Sequence, residues 1–193
     1  MPNTEQQLLS WIEELQQYRL PRWEELPDIE LYMDQVITLI ERYLSPLVGQ
    51  SDNKVITSAM INNYVKLNIM PKPNKKKYER MHLSHLIVIT ILKQVLLIPE
   101  IKEGIFLQTE IDGMRIAYDS FCQELEEALH AMIEKYQCWS TGKISAPTEQ
   151  IPLERLGLQM ACTSVVSKIF TQKIIVLHSQ EHQNTDSTEK KVQ

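Results

Sequence analysis

The segment from Ser84 to Leu97 limits the possible folds more than any other part of the chain. Its apolar residues fall on nearly every side of a helix rather than along one stripe: Leu86, Ile87, Ile89, Ile91, Leu92, Val95 and Leu96. A helix that is apolar all round is stable only when other elements surround it. The segment therefore predicts a central helix in a core that the rest of the chain supplies.

Several other stretches carry apolar residues every three to five positions, which is the pattern of an amphipathic helix. Helices are predicted after Thr4, from Asp28 to Leu44, from Thr57 to Leu67, from Pro99 to Phe106, from Met114 to Tyr136 and from Pro152 to Leu177. Glycine is scarce, at 5 of 193 residues, and long runs are rich in Leu, Ile, Glu, Gln and Lys. The predicted fold class is all-α, a helical bundle followed by two long C-terminal helices.

The spacing of these helices divides the chain into three parts. Residues 1–110 hold the N-terminal helices and the basic segment described below. Residues 111–178 are predicted to form a helical hairpin, which either completes the core or pairs two protomers with each other. Residues 179–193 are polar apart from Val192 and are predicted to be disordered. A loop is predicted from Gln137 to Gln150.

Charge is distributed very unevenly along the chain. The whole sequence has a formal net charge of −5, yet residues 54–82 contain seven Lys or Arg against Glu79 alone, which makes this stretch +6 and the remainder −11. A protein that coats nucleic acid over its whole surface would need many more cations. A basic patch in an acidic protein is instead typical of a local nucleic-acid contact.

Other function classes find little support in the sequence. The three cysteines are far apart, and no HExxH, glycine-rich phosphate loop or GxSxG turn is present. His82 and His85 are three residues apart and would need distant ligands to hold a metal. We therefore expect no cofactor and no enzymatic activity. No stretch has the features of a signal peptide or a membrane span, so a cytoplasmic protein without membrane contact is expected.

The predicted helix 57–67 has one apolar side and one polar side. Ile56, Met60, Ile61, Tyr64 and Val65 can dock it on its neighbours. The polar side carries Ser58, Asn62, Asn63 and Lys66, side chains that can contact base edges or phosphates in a major groove. Two prolines exclude a regular helix after Asn68, and residues 71–80 are predicted to form a turn or wing that contacts phosphates through Lys72, Lys75, Lys76, Lys77 and Arg80.

Residues 56–71 resemble the second helix of the MerR-type winged helix-turn-helix. Tyr64 falls on a tyrosine of that family, Asn68 on its glycine and Ile69-Met70 on its paired leucines, whereas Asn62 stands at a usual arginine and Asn63 at a tyrosine. Lys75–Tyr78 and the helix from Ser84 resemble the wing and the helix that follow. The resemblance implies a winged helix-turn-helix that binds double-stranded DNA, with a homodimer formed through the C-terminal helices.

The layout of about residues 20–125 is also similar to a domain of unknown function from low-GC Gram-positive bacteria. On this basis the chain is interpreted as a DNA-binding transcriptional regulator. The alternative is a helical protein–protein adaptor that keeps a winged-helix shape without DNA affinity, in which case the lysines would be dispensable. An enzyme would need a convergent set of polar groups. A small-molecule pocket lined by Tyr118, Phe121, Met132 and Met160 is less expected than plain core packing.

Overall fold

The computed structural model describes residues 4–48, 54–141, 158–170 and 173 of the chain. Their helices are α1 (Thr4–Gln16), α2 (Met33–Val48), α3 (Ser58–Lys66), α4 (Arg80–Leu92), α5 (Ile98–Thr141) and α6 (158–170), with a 3-10 helix at Trp23–Glu25 between α1 and α2. The described residues contain no β-strand, only two isolated bridges. The predicted all-α fold class is confirmed.

Helix α4 lies at the centre of the core, as its sequence predicts. Every side chain from His82 to Leu92 is buried, and α2 and α5 pack against it. The helix begins at Arg80 rather than Ser84, because the Nδ1 of His82 accepts a 3.0 Å hydrogen bond from the Glu79 amide and closes the first turn. It ends at Leu92, and a turn follows where five more helical residues were predicted.

Helix α2 begins at Met33, five residues after Asp28, where the sequence predicts its start. Asp28 and Leu31 precede the helix, and Leu31 is buried because it pairs in an antiparallel bridge with Tyr78. The helix also continues through Pro46, which has no N–H to donate to the Arg42 carbonyl. The Ser45 hydroxyl donates to that carbonyl over 3.4 Å, which compensates in part for the missing donor.

Helix α5 consists of two helical halves that meet at Gly113. It runs from Ile98 to Thr141 and bends at Gly113, whose φ of 74° and ψ of 163° lie outside the helical region. A residue without a Cβ tolerates this backbone conformation well. The predicted helix start at Met114 therefore coincides with this break, whereas the helix predicted to end at Phe106 continues up to it. The first five residues of the predicted loop from Gln137 belong to α5.

The two terminal helices pack on the same core. The sequence predicts an apolar face of α1 formed by Leu8, Leu9, Ile12 and Leu15; Ile12 and Leu15 are buried, whereas Leu9 is 43% exposed. The rings of Trp11 and Phe170 meet edge to face at 4.9 Å, which brings α6 against α1. The rest of the predicted loop up to Gln150, both ends of the helix predicted from Pro152 to Leu177 and the predicted disordered tail 179–193 lie outside the described residues. Within the described ranges, no helix is both long and apolar enough to cross a membrane.

Candidate nucleic-acid interface

Helix α3 is fixed at its start by a side-chain cap. Thr57 adopts an extended conformation, and its hydroxyl oxygen accepts a 3.3 Å hydrogen bond from the Met60 amide. Ile61 and Tyr64 then turn inward and are buried. Burial raises the pKa of the Tyr64 hydroxyl above its usual value. The cap and these two anchors determine which side of α3 faces solvent.

The polar side of α3 faces solvent. Ser58, Asn62 and Lys66 follow one another at intervals of four residues, so they lie on one stripe, and Asn63 lies beside them. All four are exposed, which leaves them accessible to a ligand. The structure thus brings together the four residues that the sequence assigns to the groove-facing side of this helix.

The chain turns back towards the core directly after α3. Asn68 has a φ of 54°, the left-handed conformation expected from the sequence, and the Ile69 amide donates to the Tyr64 carbonyl at 3.1 Å. Ile69 and Met70 are buried next. The nine Cα-to-Cα steps from Lys66 to Lys75 can span at most about 30 Å when extended. We call the turn at Asn74–Lys77 the lysine turn. The exposed side of α3 and the lysine turn therefore lie within about one helical repeat of B-DNA, roughly 34 Å, of each other.

Lys75 and Lys76 occupy the two central positions of a tight turn. Asn74 and Lys77 form an antiparallel bridge in which the Lys77 amide donates to the Asn74 carbonyl at 2.8 Å. The φ values of Lys75 and Lys76 are 47° and 64°, so both residues are left-handed, as in a type I′ turn. Side chains with a Cβ adopt this conformation at a cost of about 1–3 kcal/mol each, whereas Asn-Gly fits it well.

The lysine turn is held at its base by the segment before α2. Leu31 and Tyr78 exchange two 2.8 Å backbone hydrogen bonds, and Tyr78 is buried. The Lys77 ammonium lies 2.6 Å from a carboxylate oxygen of Glu30 in an exposed ion pair, which raises the pKa of the lysine. Solvent screens such pairs strongly, so a phosphate could replace Glu30 at little cost.

Arg80 is engaged inside the protein instead of reaching into solvent. Its Nε donates to the Leu26 carbonyl at 3.2 Å, and its two terminal nitrogens lie 3.0 Å from Glu24 and 3.8 Å from Asp28. Only 17% of the side chain is exposed. Arg80 therefore anchors the start of α4 to the segment around the 3-10 helix, a role that differs from the phosphate contact expected from the sequence.

The other cations of the basic segment remain accessible. Lys54, Lys66, Lys72, Lys75 and Lys76 are exposed, and none of them forms an ion pair with another residue in the part of the chain that the structure describes. Their charge is not neutralised by the acidic remainder of the molecule. The cations predicted as phosphate contacts thus divide into three exposed lysines without an ion pair, one exchangeable lysine and one anchored arginine.

Lys93 supports the candidate interface, and the sequence gives no sign of this role. Its ammonium donates to the Val55 carbonyl at 2.9 Å, just before the cap of α3, and lies 3.9 Å from the Met60 sulfur. Burial lowers the pKa of Lys93 below its usual value. Because Lys93 and Val55 are separated by the whole of α3 and α4, local periodicity could not have revealed their contact.

The two histidines of α4 are part of the core. His82 binds the Glu79 amide through Nδ1, and the His85 Nδ1 lies 2.8 Å from the Met81 carbonyl. Both side chains are buried, and burial lowers the pKa of His85. Within the described ranges, no group of three or more His, Cys, Asp or Glu side chains is arranged to hold a metal ion.

Comparison with known proteins gives one match. The family model described as a domain of unknown function (DUF1836) matches residues 21–121, which is more than half of the chain and includes every residue of the interface described above. This range is close to the 20–125 over which the sequence resembles such a domain. Searches of curated proteins and of solved structures found no match. The chain belongs to the DUF1836 family.

Proposed function

We propose that this protein is a transcriptional regulator that binds double-stranded DNA through α3 and the lysine turn. The observation that carries the proposal is the exposed polar stripe of α3, followed closely by two lysines held in a costly turn conformation. Strained residues that persist in a fold are often kept for function. Here, only the charge of Lys75 and Lys76 offers a reason to prefer them over Asn-Gly.

Helix α3 supplies contacts to base edges in the major groove. The amide groups of Asn62 and Asn63 can each donate to and accept from adenine, and Ser58 can bond to several bases. Lys66, at the C-terminal end of the same stripe, can contact guanine or a phosphate. Sequence preference is therefore expected to depend on the asparagines.

The lysine turn supplies contacts to the phosphate backbone. Lys72, Lys75 and Lys76 can meet phosphates directly, and Lys77 can exchange Glu30 for one. Arg80 acts indirectly, because it holds the base of the turn against the N-terminal segment. The acidic remainder of the molecule opposes contact by any other surface, which orients the protein on the duplex.

A homodimer is part of the proposal. Phe106, Leu107 and Ile111 on the first half of α5 are each more than half exposed, and Ile116 follows after the bend. Exposed large apolar side chains grouped in one region are typical of protein interfaces. Two protomers joined there would present two copies of α3 to a palindromic site.

The test is fluorescence anisotropy with a labelled pool of random duplexes at several salt concentrations. The double variant Lys75→Gln/Lys76→Gln is expected to bind more weakly and to reduce the slope of log affinity against log salt by about 1.8. Lys102→Gln removes an exposed lysine from α5, away from the proposed interface, and should leave the salt slope unchanged. Asn62→Ala is expected to reduce sequence preference in a selection from the same pool, with little change in salt slope.

The rival function is a protein–protein adaptor, and the same exposed α5 side chains favour it. The two functions predict different results in the same assay. If the wild type fails to bind DNA at low salt, the regulator is excluded and the adaptor takes its place. If Lys75→Gln/Lys76→Gln binds as tightly as the wild type, the lysine turn is not a phosphate contact.

A further inference from the structure

A cavity of about 280 Å³ lies between α4, the two halves of α5 and α6. Leu92 and Leu96, Ile105 and Phe121, and Leu158 of α6 contribute to its lining, and the space opens to solvent near the exposed Leu107. Of the four side chains expected to line a pocket, Tyr118 and Phe121 do so, whereas Met160 is exposed and Met132 packs on the core. The bend at Gly113 allows both halves of α5 to contribute.

The lining determines which ligands the cavity can hold. No charged side chain is present among the lining residues within the described ranges, and the polar ones are Gln108, Thr109 and Tyr118, whose hydroxyl donates to the Pro21 carbonyl at 2.8 Å. The Thr109 hydroxyl donates to the Ile105 carbonyl of its own helix at 2.8 Å. A charged ligand would lose its hydration without gaining a partner of opposite charge. The ligand is therefore expected to be neutral and mainly apolar.

The volume limits the size of the ligand. An apolar cavity of about 150 Å³ is enough to hold benzene in a protein core. At about 280 Å³, this cavity has nearly twice that volume. A molecule of roughly ten to fifteen carbon atoms fits this space, for example a fused aromatic compound or a medium-chain hydrocarbon with one weakly polar group.

The cavity is connected to α3 by the turn that ends α4. Leu92 and Leu96 contact the cavity, and Lys93 between them donates to the Val55 carbonyl in front of α3. On the other side, the Lys168 ammonium of α6 donates to the Gln94 carbonyl at 2.6 Å. The same turn therefore contributes to the cavity lining and to the hydrogen bond in front of α3.

We propose that this cavity binds a neutral apolar small molecule and that its occupation changes the stability of α3. The effect of such a molecule on DNA affinity rests on the proposed function, whereas its binding and its effect on α3 do not. The contacts that transmit the effect are those of Lys93 with Val55 and of Lys168 with Gln94.

Binding is tested on the full chain with the neutral fluorescent probe 1-aminonaphthalene, a fused aromatic compound within the size range given above. Saturable binding of one probe per chain is expected. Ala161→Leu and Gly104→Leu each place a larger side chain at the cavity wall, and a Cβ at Gly104 meets no atom within 4 Å. Circular dichroism checks that both variants are folded. Each variant is expected to raise the dissociation constant of the probe by about tenfold or more, because a side chain that fills the space excludes the ligand. Ala131→Leu, exposed on α5, is the control.

The link to α3 is tested by hydrogen exchange, which does not require DNA. Saturating probe is expected to change the exchange rate of the Ile61 and Leu67 amides in the wild type, and this change should be lost in Lys93→Met, which keeps the apolar stem but has no donor. Absence of probe binding, or equal binding by Ala161→Leu and Gly104→Leu, would overturn the cavity site. Probe binding without a change in α3 would overturn the regulatory link, and neither result depends on whether DNA is bound.

Discussion

Leu31 and Tyr78 exchange two backbone hydrogen bonds of 2.8 Å, although α2 and α3 lie between them in the chain. This pair fixes the base of the lysine turn to the segment that precedes α2. The turn itself is closed by the bridge between Asn74 and Lys77. The lysines at its tip are therefore presented from a base that is held on both sides.

The costly backbone of this turn leads to a first prediction. Lys75→Asn/Lys76→Gly places the preferred type I′ residues at positions with φ of 47° and 64°. The free energy of unfolding is expected to rise by about 1 kcal/mol, since two strained residues are replaced. DNA affinity is expected to fall, because two phosphate contacts are lost. Urea denaturation and anisotropy measure the two effects.

Lys75→Gln/Lys76→Gln is the matched control for this prediction, because it removes the same charges and keeps side chains with a Cβ at both positions. Only the Asn-Gly variant should gain stability, and both should lose affinity. If the two variants are equally stable, the turn conformation of Lys75 and Lys76 carries no cost in solution.

Arg80 is predicted to matter for stability more than for direct phosphate contact. Arg80→Met leaves the partly buried Leu26 carbonyl without its Nε donor and removes the contacts with Glu24 and Asp28. A loss of about 1–3 kcal/mol is expected from the unsatisfied carbonyl. Lys72→Met, at an exposed site, is the control and should unfold at nearly the wild-type urea concentration.

The slope of log DNA affinity against log salt distinguishes a structural role of Arg80 from a phosphate contact. In conditions where Arg80→Met is fully folded, its salt slope should match that of the wild type, whereas Lys72→Met should reduce it by about 0.9. If folded Arg80→Met has a smaller slope of log DNA affinity against log salt than the wild type, Arg80 does contact a phosphate.

Helices whose apolar side is set by neighbouring residues were predictable from the sequence. The capped start of α3, the buried residues of α1 and the central place of α4 all follow from local spacing. The predicted start of α2 was wrong because Leu31 is buried through its pairing with Tyr78, far along the chain, and not as part of a helix. The break at Gly113 agrees with the predicted helix start at Met114, and what the sequence did not show is that the preceding helix continues beyond Phe106 to this break.

For the candidate interface, too, the sequence predicted the features set by local spacing and missed the contacts between distant residues. The exposed stripe of α3 follows from the inward positions of Ile61 and Tyr64. The internal role of Arg80 and the support from Lys93 were missed, because their partners come from the 3-10 segment and from the residues before α3. Charge alone cannot distinguish a cation that faces solvent from one that binds a carbonyl inside the fold.

The two glycines of α5 are predicted to respond in opposite directions to alanine. Gly113 has a φ of 74°, so Gly113→Ala forces a Cβ into the left-handed region and should cost about 1 kcal/mol or more. Gly104 is in a regular part of the helix with open space at its Cβ, so Gly104→Ala should stabilise by up to about 1 kcal/mol. Thermal unfolding of both variants measures the difference. Equal effects would show that α5 is straight in solution.

The two buried cysteines are predicted to be unreactive in the folded protein. Burial raises the pKa of the Cys122 and Cys162 thiols to about 12, so only about one in ten thousand would be a thiolate at pH 8. Iodoacetamide should modify their peptides slowly in buffer and rapidly in urea, as followed by mass spectrometry. Rapid modification of Cys162 alone in buffer would show that α6 leaves the core.

The ion pair of Arg19 and Glu25 gives a pH dependence of known sign. Arg19 binds both carboxylate oxygens of Glu25 at 2.6 Å, and the Arg22 amide donates to one of them at 2.8 Å. These donors lower the pKa of Glu25 from 4.5 to about 2. The carboxylate therefore stabilises the fold above pH 4.5, and this contribution is lost as the pH falls towards 2. Because the pair is exposed, solvent screening keeps the contribution small.

A carbon-detected NMR titration of the Glu25 carboxyl measures this pKa directly. The wild type is expected to titrate near 2, and Arg19→Gln should shift the midpoint back towards 4.5, since the Arg22 amide remains as the only donor of the three. The stability difference between the wild type and Glu25→Gln should accordingly shrink between pH 5 and pH 3. A wild-type midpoint close to 4.5 would mean that Arg19 does not hold Glu25 in solution.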